Sequence, residues 1–149
     1  MLAEDDPHPE VFDLLHNGLL RLGQDDAPIA AVLAYYQWRL LRNVGLLGDM
    51  RTCVSCGKEV ACKHRGRAYF SSQQGGLVCG DCEAAYVEKY AVDRRVLAGL
   101  EVLAAAESGR RASLPDSQAL GVSRLLAYHV THQLGRPLRM ERYALGSAR

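Results

Sequence analysis

The stretch that decides the fold consists of two cysteine pairs, Cys53-Val-Ser-Cys56-Gly57 and Cys79-Gly-Asp-Cys82, with 22 residues between Cys56 and Cys79. Each CxxC pair can direct two thiolates toward one point. Four sulfurs that converge form a closed tetrahedral site without an open position for water, which is typical of structural zinc. The spacing therefore predicts one structural zinc ion. Its predicted ligands are Cys53, Cys56, Cys79 and Cys82.

The fifth cysteine, Cys62, lies between the two pairs. An odd number of cysteines argues against a disulfide framework, and Met1 is followed by acidic residues rather than by a secretion signal. Cys62 and His64 remain alternative metal ligands because both lie in the loop between the pairs. Two other interpretations are weaker. The first is that the cysteines are buried free thiols, which leaves their paired spacing unexplained. The second is a thioredoxin-like redox site, which needs a βαβ pattern that the sequence lacks.

Apolar residues recur at helical spacing in four segments of the chain. These segments run from residue 10 to 22, from the N-cap Asp26 to Gly48, from Asp93 to Ser108, and from the N-cap Ser117 to Gly135. In the first segment, Phe12, Leu15, Leu19 and Leu22 mark the repeating apolar face. Residues 49–90 lose this period, and two short runs, Ala68-Tyr-Phe70 and Leu77-Val78, flank Gly75-Gly76 as in a hairpin.

We therefore expect an all-α fold, a small helical bundle with an inserted zinc-ribbon-like hairpin. A chain of 149 residues with 48% hydrophobic residues is long enough to fold as one domain. The expected organisation is a single domain over residues 1–149 with a zinc-binding insert at residues 51–90. No apolar stretch approaches the roughly 18 residues of a membrane helix, so the expected location is the cytoplasm.

Charge is distributed unevenly along the chain, although the net charge is only +1. Residues 1–26 carry seven acidic residues and one basic residue, whereas the rest of the chain carries 17 basic and 10 acidic residues. A polyanionic partner is therefore expected at this basic part, and an ordinary solvated surface is the alternative.

Two basic clusters stand out within that part of the chain. They consist of Lys58, Lys63, Arg65 and Arg67 near the cysteines, and of Arg136, Arg139 and Arg142 near the C-terminus. Mobile cations of this kind contact nucleic-acid phosphates, and the neighbouring rings of Tyr69, Phe70 and Tyr143 can stack on unpaired bases. Phe70 and Tyr143 can equally be core residues. The clusters are the predicted nucleic-acid contacts.

No residue pattern indicates an enzyme. The sequence has no P-loop, no GxSxG, no HExxH and no dinucleotide-binding motif. His8-Pro-Glu10 with Cys79-x-x-Cys82 is similar to the nucleobase deaminase signature, but Val78 stands where that signature has proline. His129 lies on the apolar face of the fourth helical segment, where we expect a hydrogen-bonded core histidine rather than a catalytic base.

The order of these features resembles the C-terminal helical and zinc domain of the RecO family of bacterial recombination mediators. The stretches that carry the resemblance are Pro9-Glu-Val-Phe-Asp-Leu-Leu15, Asn43-Val-Gly-Leu-Leu47, Cys53-Val-Ser-Cys56-Gly57, Phe70-Ser-Ser-Gln-Gln-Gly-Gly-Leu-Val-Cys79-Gly-Asp-Cys82, and Tyr128 through Gly135-Arg-Pro-Leu-Arg139 with Arg142 and Tyr143. Together they cover nearly the whole chain, and their order and spacing are more specific than any one of them.

The resemblance implies a non-enzymatic DNA-repair and recombination protein of the bacterial nucleoid. It implies binding to single- and double-stranded DNA, annealing of complementary strands, and action with RecR and the C-terminal tail of single-strand DNA-binding protein to load RecA. The two cysteine pairs match the ligands of the zinc-containing members. Family members begin with an OB-fold of about 80 residues, a fold that commonly binds single strands, and this sequence starts where the helical domain would start.

Two hypotheses from other functional classes remain open. The first is a protein-interaction adaptor whose zinc ribbon and helices bind only a protein partner; a continuous basic face would distinguish DNA repair from it. The second is a regulator that responds to zinc or to oxidation, which would require a labile metal or easily oxidised cysteines.

Overall fold

A computed structural model describes residues 8–60, 66–107 and 113–139. Within these ranges the chain forms four α-helices and three β-strands. In chain order the elements are α1 (Pro9–Leu22), α2 (Ile29–Asn43), β1 (Ala68–Ser71), β2 (Gly76–Cys79), a short 3-10 turn (Glu83–Ala85), β3 (Tyr90–Val92), α3 (Arg94–Glu107) and α4 (Asp116–Leu134). None of the helices in the described ranges is both long and apolar enough to cross a membrane.

The predicted all-α class is wrong, because the strands form a three-stranded antiparallel sheet in the order β2-β1-β3. The hairpin of β1 and β2 agrees with the prediction and pairs Ala68 with Cys79 and Ser71 with Gly76. The third strand was not predicted; it pairs Ala68 with Val92 and Phe70 with Tyr90. Three residues are too short a run to show an alternating pattern, and β3 is stabilised by its partner strand rather than by local propensity. The fold is mixed, with helices and a sheet.

The second helix is shorter at both ends than the sequence predicted. Asp26 is not its N-cap, because the helix begins after Pro28, which occupies the N-cap position. The helix ends at Asn43, and Gly45 follows with a φ of +74°. That left-handed conformation ends a helix and is readily adopted by glycine, so the apolar period that continues through Leu47 belongs to the following loop.

The core lies between the sheet and helices α2, α3 and α4. Strands β1 and β2 contribute Phe70, Leu77 and Val78, all fully buried. Trp38 of α2 is also buried, and its indole N–H donates a 2.8 Å hydrogen bond to Glu107 at the end of α3. The helices and the sheet thus share one hydrophobic core.

The first helix stands apart from this core. Gly18 is its single buried residue, and the face predicted from the apolar spacing is largely exposed. Phe12, Leu15 and Leu19 are 68%, 62% and 62% exposed. Within the described chain, α1 packs mainly on α2. The periodicity predicted the helix, but not whether its apolar face is covered.

Candidate metal centre

The first cysteine pair lies on a tight turn that follows α2. The N–H of Cys53 donates to the carbonyl of Lys58 at 2.8 Å, and the N–H of Gly57 donates to the carbonyl of Cys53 at 2.9 Å. Gly57 has a φ of +72°, which a residue with a side chain rarely adopts. The turn is fixed to the sheet, because the N–H of Val54 donates to the carbonyl of Leu77. The backbone thereby holds Cys53 and Cys56 beside β2.

The second cysteine pair begins at the last residue of β2. The N–H of Cys82 donates to the carbonyl of Cys79 at 3.1 Å and closes the turn between them. Gly80 fits closely against the residue that precedes β1, since a Cβ there would lie 3.2 Å from the carbonyl oxygen of Arg67. The hairpin therefore delivers this pair to the same end of the sheet as the first pair.

The four predicted ligands converge. The sulfur atoms of Cys53, Cys56, Cys79 and Cys82 all lie within 4.8 Å of one another. The Sγ atoms of Cys56 and Cys79 are 3.7 Å apart. Tetrahedral zinc with Zn–S bonds of about 2.3 Å separates neighbouring sulfurs by roughly 3.8 Å, so the cluster has the dimensions that a bound metal ion requires. The sequence-based prediction that these four cysteines form one cluster is confirmed.

Backbone N–H groups point at the buried sulfur of this cluster. The N–H of Cys79 donates to Cys53 Sγ at 3.3 Å. Burial raises the pKa of the Cys53 thiol, but hydrogen bonds from the backbone at Cys79, Cys56 and Ser55 outweigh it and lower the pKa to about 6. A thiolate is the form that binds a metal. The site therefore stabilises a negative sulfur in its most buried position.

The neighbouring sulfurs and burial make the thiol of Cys82 harder to ionise. A hydrogen bond with Ser55 lowers the pKa of Cys82, but the sulfurs of Cys79, Cys56 and Cys53 outweigh it and raise the pKa to about 12. Negative sulfurs at this distance repel one another, so the four thiols do not all ionise by themselves. A cation bound between them would remove that repulsion.

The predicted basic residues near the cysteines are only partly described. Lys63 and Arg65, together with the alternative ligands Cys62 and His64, lie outside the described residues. Lys58 is exposed, and its Nζ lies 3.4 Å from Asp81 Oδ2, a contact that raises the pKa of Lys58. Arg67 is exposed, and its backbone packs against Gly80 in the Cys79–Cys82 turn.

The described members of the second basic cluster follow α4. Arg136 and Arg139 are exposed just after α4. The last turn of this helix lies beside the hairpin turn, because the side chain of Gln133 donates to the carbonyl of Ser72 at 3.1 Å. Arg142 and Tyr143 lie outside the described residues.

The aromatic residues proposed to stack on bases have different environments. Phe70 is fully buried and belongs to the core, in edge-to-face contact with the ring of His129. Tyr69 is partly exposed, and Lys89 Nζ lies 5.5 Å from the centre of its ring. A hydrogen bond from Tyr69 also lowers the pKa of Glu83. Tyr69 is thus a described ring near the cysteines that stays partly open to solvent.

Sequence reasoning missed a carboxylate that ties the hairpin turn to α4. Glu88 accepts hydrogen bonds from the hydroxyl of Ser71 at 3.1 Å, the N–H of Ser72 at 2.9 Å and the hydroxyl of Tyr128. Burial raises the pKa of Glu88, but these hydrogen bonds and that from the N–H of Gln73 outweigh it and hold the pKa below its usual value. A single glutamate in an irregular segment belongs to no recognisable sequence motif, so the sequence did not predict the role of Glu88.

His129 is a hydrogen-bonded core residue, as predicted. Its Nε2 lies 2.8 Å from the carbonyl oxygen of Leu46, which can only accept, so Nε2 carries the proton. In the neutral ring, Nδ1 then accepts from the hydroxyl of Ser72 at 2.7 Å. Burial lowers the pKa of His129, which favours this neutral form. The side chain joins the loop after α2, the hairpin turn and α4.

Comparison with known proteins gives a consistent result. Residues 1–142 match the family described as recombination protein O, C-terminal. A Myxococcus xanthus protein named DNA repair protein RecO is 32% identical over 139 residues, covering 93% of this chain and 54% of that protein. A protein of the same name from Anaeromyxobacter dehalogenans is 30% identical, covering 96% of this chain and 56% of that protein.

The chain spans about half the length of these relatives. No solved structure matches it. The family match nevertheless extends over all four helices, the sheet and both cysteine pairs. The chain therefore belongs to the RecO C-terminal family.

Proposed function

We propose that this chain is a non-enzymatic DNA-repair and recombination module built around one structural zinc ion. The observation that carries the zinc assignment is the convergence of four cysteine sulfurs within 4.8 Å. Four sulfur ligands leave no position for a reacting water, so the site suits a structural role rather than catalysis. The repair role is supported by the family match and by the names of the relatives.

In this proposal, Cys53, Cys56, Cys79 and Cys82 hold the ion, which supplies the positive charge that keeps four thiolates together. The chain's own residues do the rest. The N–H of Cys79 orients Cys53, and the bond from Val54 to Leu77 fixes the first turn to the sheet. The proposal keeps the predicted organisation, in which the zinc-binding insert at residues 51–90 belongs to a single domain over residues 1–149.

DNA contact is proposed at the two basic clusters. Near the metal centre the candidates are Lys58, Lys63, Arg65 and Arg67, with Tyr69 as a partly exposed ring; beyond α4 they are Arg136, Arg139 and Arg142. Exposed arginines contact phosphates without reading sequence, so single-stranded and double-stranded DNA are both expected ligands. Because Lys58 is ion-paired with Asp81, we expect it to contribute less than Arg67.

The test is fluorescence anisotropy of a labelled single-stranded oligonucleotide, titrated with the zinc-loaded chain at two salt concentrations. We expect saturable binding that weakens as salt rises, since phosphate contacts release counterions. The variant Arg67→Glu combined with Arg139→Glu is expected to weaken binding at least about tenfold at low salt. Arg21→Glu is the matched control, because Arg21 is an exposed arginine on α1, outside both clusters.

Protein partners are part of the same proposal. The family resemblance points to RecR and to the acidic C-terminal tail of single-strand DNA-binding protein, with loading of RecA as the outcome in the bacterial cytoplasm at the nucleoid. The corresponding test titrates a labelled tail peptide with the chain. Binding of this peptide and its loss at high salt are expected, because an acidic peptide depends on the same basic residues.

A protein-interaction adaptor without DNA binding is the second candidate. It is favoured by the burial of Phe70 and by the pairing of Lys58 with Asp81, which remove two of the proposed DNA contacts. The anisotropy titration distinguishes the candidates. Absence of binding to single- and double-stranded DNA at low salt, with the tail peptide still bound, would favour the adaptor.

A further inference from the structure

Three aromatic rings form a row that runs from β3 to the last turn of α4. The ring centres of Tyr90 and Tyr128 are 4.9 Å apart, and those of Tyr128 and His132 are 4.4 Å apart. Rings at such distances are in direct contact. Tyr90 and Tyr128 are partly buried, whereas His132 is exposed. The row therefore begins beside the core and ends at the surface with a ring that is open to solvent.

The middle ring of this row is held firmly in place. The hydroxyl of Tyr128 donates a hydrogen bond to Glu88. Glu88 also accepts hydrogen bonds from the hydroxyl of Ser71 and the N–H of Ser72 at the hairpin turn. These bonds fix Tyr128 at its hydroxyl end and occupy the carboxylate. Binding to a ring that is already in place costs less conformational entropy than binding to a mobile one.

Basic residues precede and follow the two rings of α4. Arg124 lies four residues before Tyr128, and Arg136 lies four residues after His132, just beyond the end of the helix. Both arginines are exposed. Residues four apart lie on one face of a helix, about 6 Å apart along its axis. This part of the surface therefore combines cations, which contact phosphates, with rings, on which unpaired bases stack.

A second pair of a histidine and an aromatic ring has different surroundings. On α1 the ring centres of Phe12 and His16 are 6.2 Å apart, and the two planes differ by only 5°. Both residues are exposed. The acidic residues Glu10 and Asp13 lie beside this pair on the same helix, and both are exposed. Their carboxylates repel phosphates, so the pair on α4 is the one that suits a nucleic acid.

We propose that the row of Tyr90, Tyr128 and His132 is a stacking site for an unpaired DNA base, with the base lying on the ring of His132. Arg136 and Arg139 contact the phosphates of the same strand. This site rests on the proposed function, because it needs a strand bound at the basic cluster after α4. It adds a preference that arginines alone do not give, since rings contact the flat face of a base, which is covered inside a duplex.

The test compares two labelled strands of equal length, an oligothymidylate and a strand of abasic sites with the same phosphates. Fluorescence anisotropy gives the dissociation constant of each strand from the zinc-loaded chain at low salt. The wild-type chain is expected to bind the oligothymidylate at least about fivefold more tightly, because stacking on a ring contributes at least that factor for one base.

Variants at the exposed end of the row separate stacking from charge. His132→Ala is expected to reduce the preference for the oligothymidylate to less than about twofold and to leave binding of the abasic strand unchanged. His132→Phe retains a ring without the imidazole and is expected to keep the preference. His16→Ala is the matched control, because His16 is the exposed histidine of the pair on α1, and it is expected to bind both strands as the wild type does.

The outcomes distinguish this site from the proposed function. Equal binding of the two strands by the wild type would overturn the stacking site and leave the phosphate contacts in place. A preference that survives in His132→Ala would also overturn it and would point to another ring such as Tyr69. Absence of binding to either strand would overturn the proposed DNA contact and the stacking site together. Circular dichroism checks folding, and His132→Gln replaces His132→Ala if the latter loses its helix signal.

Discussion

The insert and the first helix are held in place by different means. Strand β1 has four residues, of which three are buried, and it is hydrogen-bonded on both edges. Helix α1 has 14 residues, of which one is buried, and within the described chain it packs mainly on α2. The insert is also fixed by the carboxylate of Glu88, and its four converging sulfurs are the proposed zinc ligands.

This difference shows how a short irregular segment can be more tightly bound than a regular helix. A helix satisfies its own backbone hydrogen bonds, so α1 forms without being buried. A hairpin with four-residue strands is only marginally stable by itself, and it needs the third strand, the core and the cysteine cluster. We therefore expect mutations in the insert to destabilise the protein, and equivalent mutations on the exposed face of α1 to cost little stability.

The largest effect is expected from loss of one metal ligand. Cys56→Ser should abolish stoichiometric zinc binding, because Cys56 is exposed and contributes little packing besides its sulfur. The expected destabilisation of the insert exceeds about 5 kcal/mol, since structural zinc binds with apparent energies of about 10–16 kcal/mol. Hydrogen exchange should show loss of protection at residues 52–60 and 76–82, with α3 and α4 still protected.

Glu59→Ser is the control for that experiment, because Glu59 is an exposed residue three positions after Cys56 and is not a ligand. It is expected to keep full zinc content. Unchanged zinc content and melting temperature in Cys56→Ser would contradict the metal assignment.

The chain has two phenylalanines, one in each region, so that replacing them compares the stability of the two regions directly. Phe70→Ala removes a fully buried ring from the core and is expected to lower the free energy of unfolding by about 3–5 kcal/mol. Phe12→Ala removes a ring that is 68% exposed and is expected to cost less than about 0.5 kcal/mol. Urea titrations measure both. Equal losses would contradict the proposed difference between the regions.

A smaller effect is expected at Glu88. Replacing its carboxylate by an amide in Glu88→Gln weakens the bonds from Ser72 and Tyr128 and should cost about 1–3 kcal/mol at neutral pH. Since the pKa of Glu88 is lowered in the folded chain, its contribution is present above about pH 4.5 and is lost as the pH falls through the folded-state pKa.

Urea titrations between pH 3 and pH 7 check this prediction. The stability advantage of the wild type over Glu88→Gln should shrink on acidification. The control is Glu59→Gln, a change at an exposed glutamate, whose free energy of unfolding should follow that of the wild type at every pH. An advantage independent of pH would argue against the carboxylate as an anchor.

The smallest effect concerns His129. Burial lowers its pKa in the folded chain, so the unfolded chain takes up a proton first as the pH falls below about 6.5. Stability from this residue is therefore complete above that pH and declines below it, by less than about 1.4 kcal/mol per pH unit. The difference between wild type and His129→Gln across pH 5–8 measures it. A difference that grows on acidification would refute the neutral core histidine.

The sequence predicted the features that depend on local spacing. The two CxxC pairs predict a single four-cysteine cluster. The two residues between the cysteines of each pair form a turn, and cysteine is the residue that binds zinc most often in closed sites. The four helices follow from their apolar period, and the hairpin follows from Gly75-Gly76. Gly75 is needed there, since it has a φ of +64° and a Cβ would lie 2.6 Å from the carbonyl oxygen of Leu46.

Features that depend on distant residues were not predictable. Strand β3 forms because β1 offers it a free edge, and Glu88 acts because the fold places Tyr128 of α4 beside the hairpin turn. The exposure of α1 is a third case. An apolar stripe predicts which face of a helix is hydrophobic, but it does not predict whether residues of the same chain bury that face.

The central claim is that four cysteines of this chain hold one zinc ion, and one measurement tests it most directly. Zinc is quantified in the purified chain, and X-ray absorption at the zinc edge gives the number and type of its ligands. We expect one zinc per chain with four sulfur neighbours at about 2.3 Å. A chain without stoichiometric zinc, or a zinc with a nitrogen neighbour such as His64 in place of one sulfur, would contradict the account.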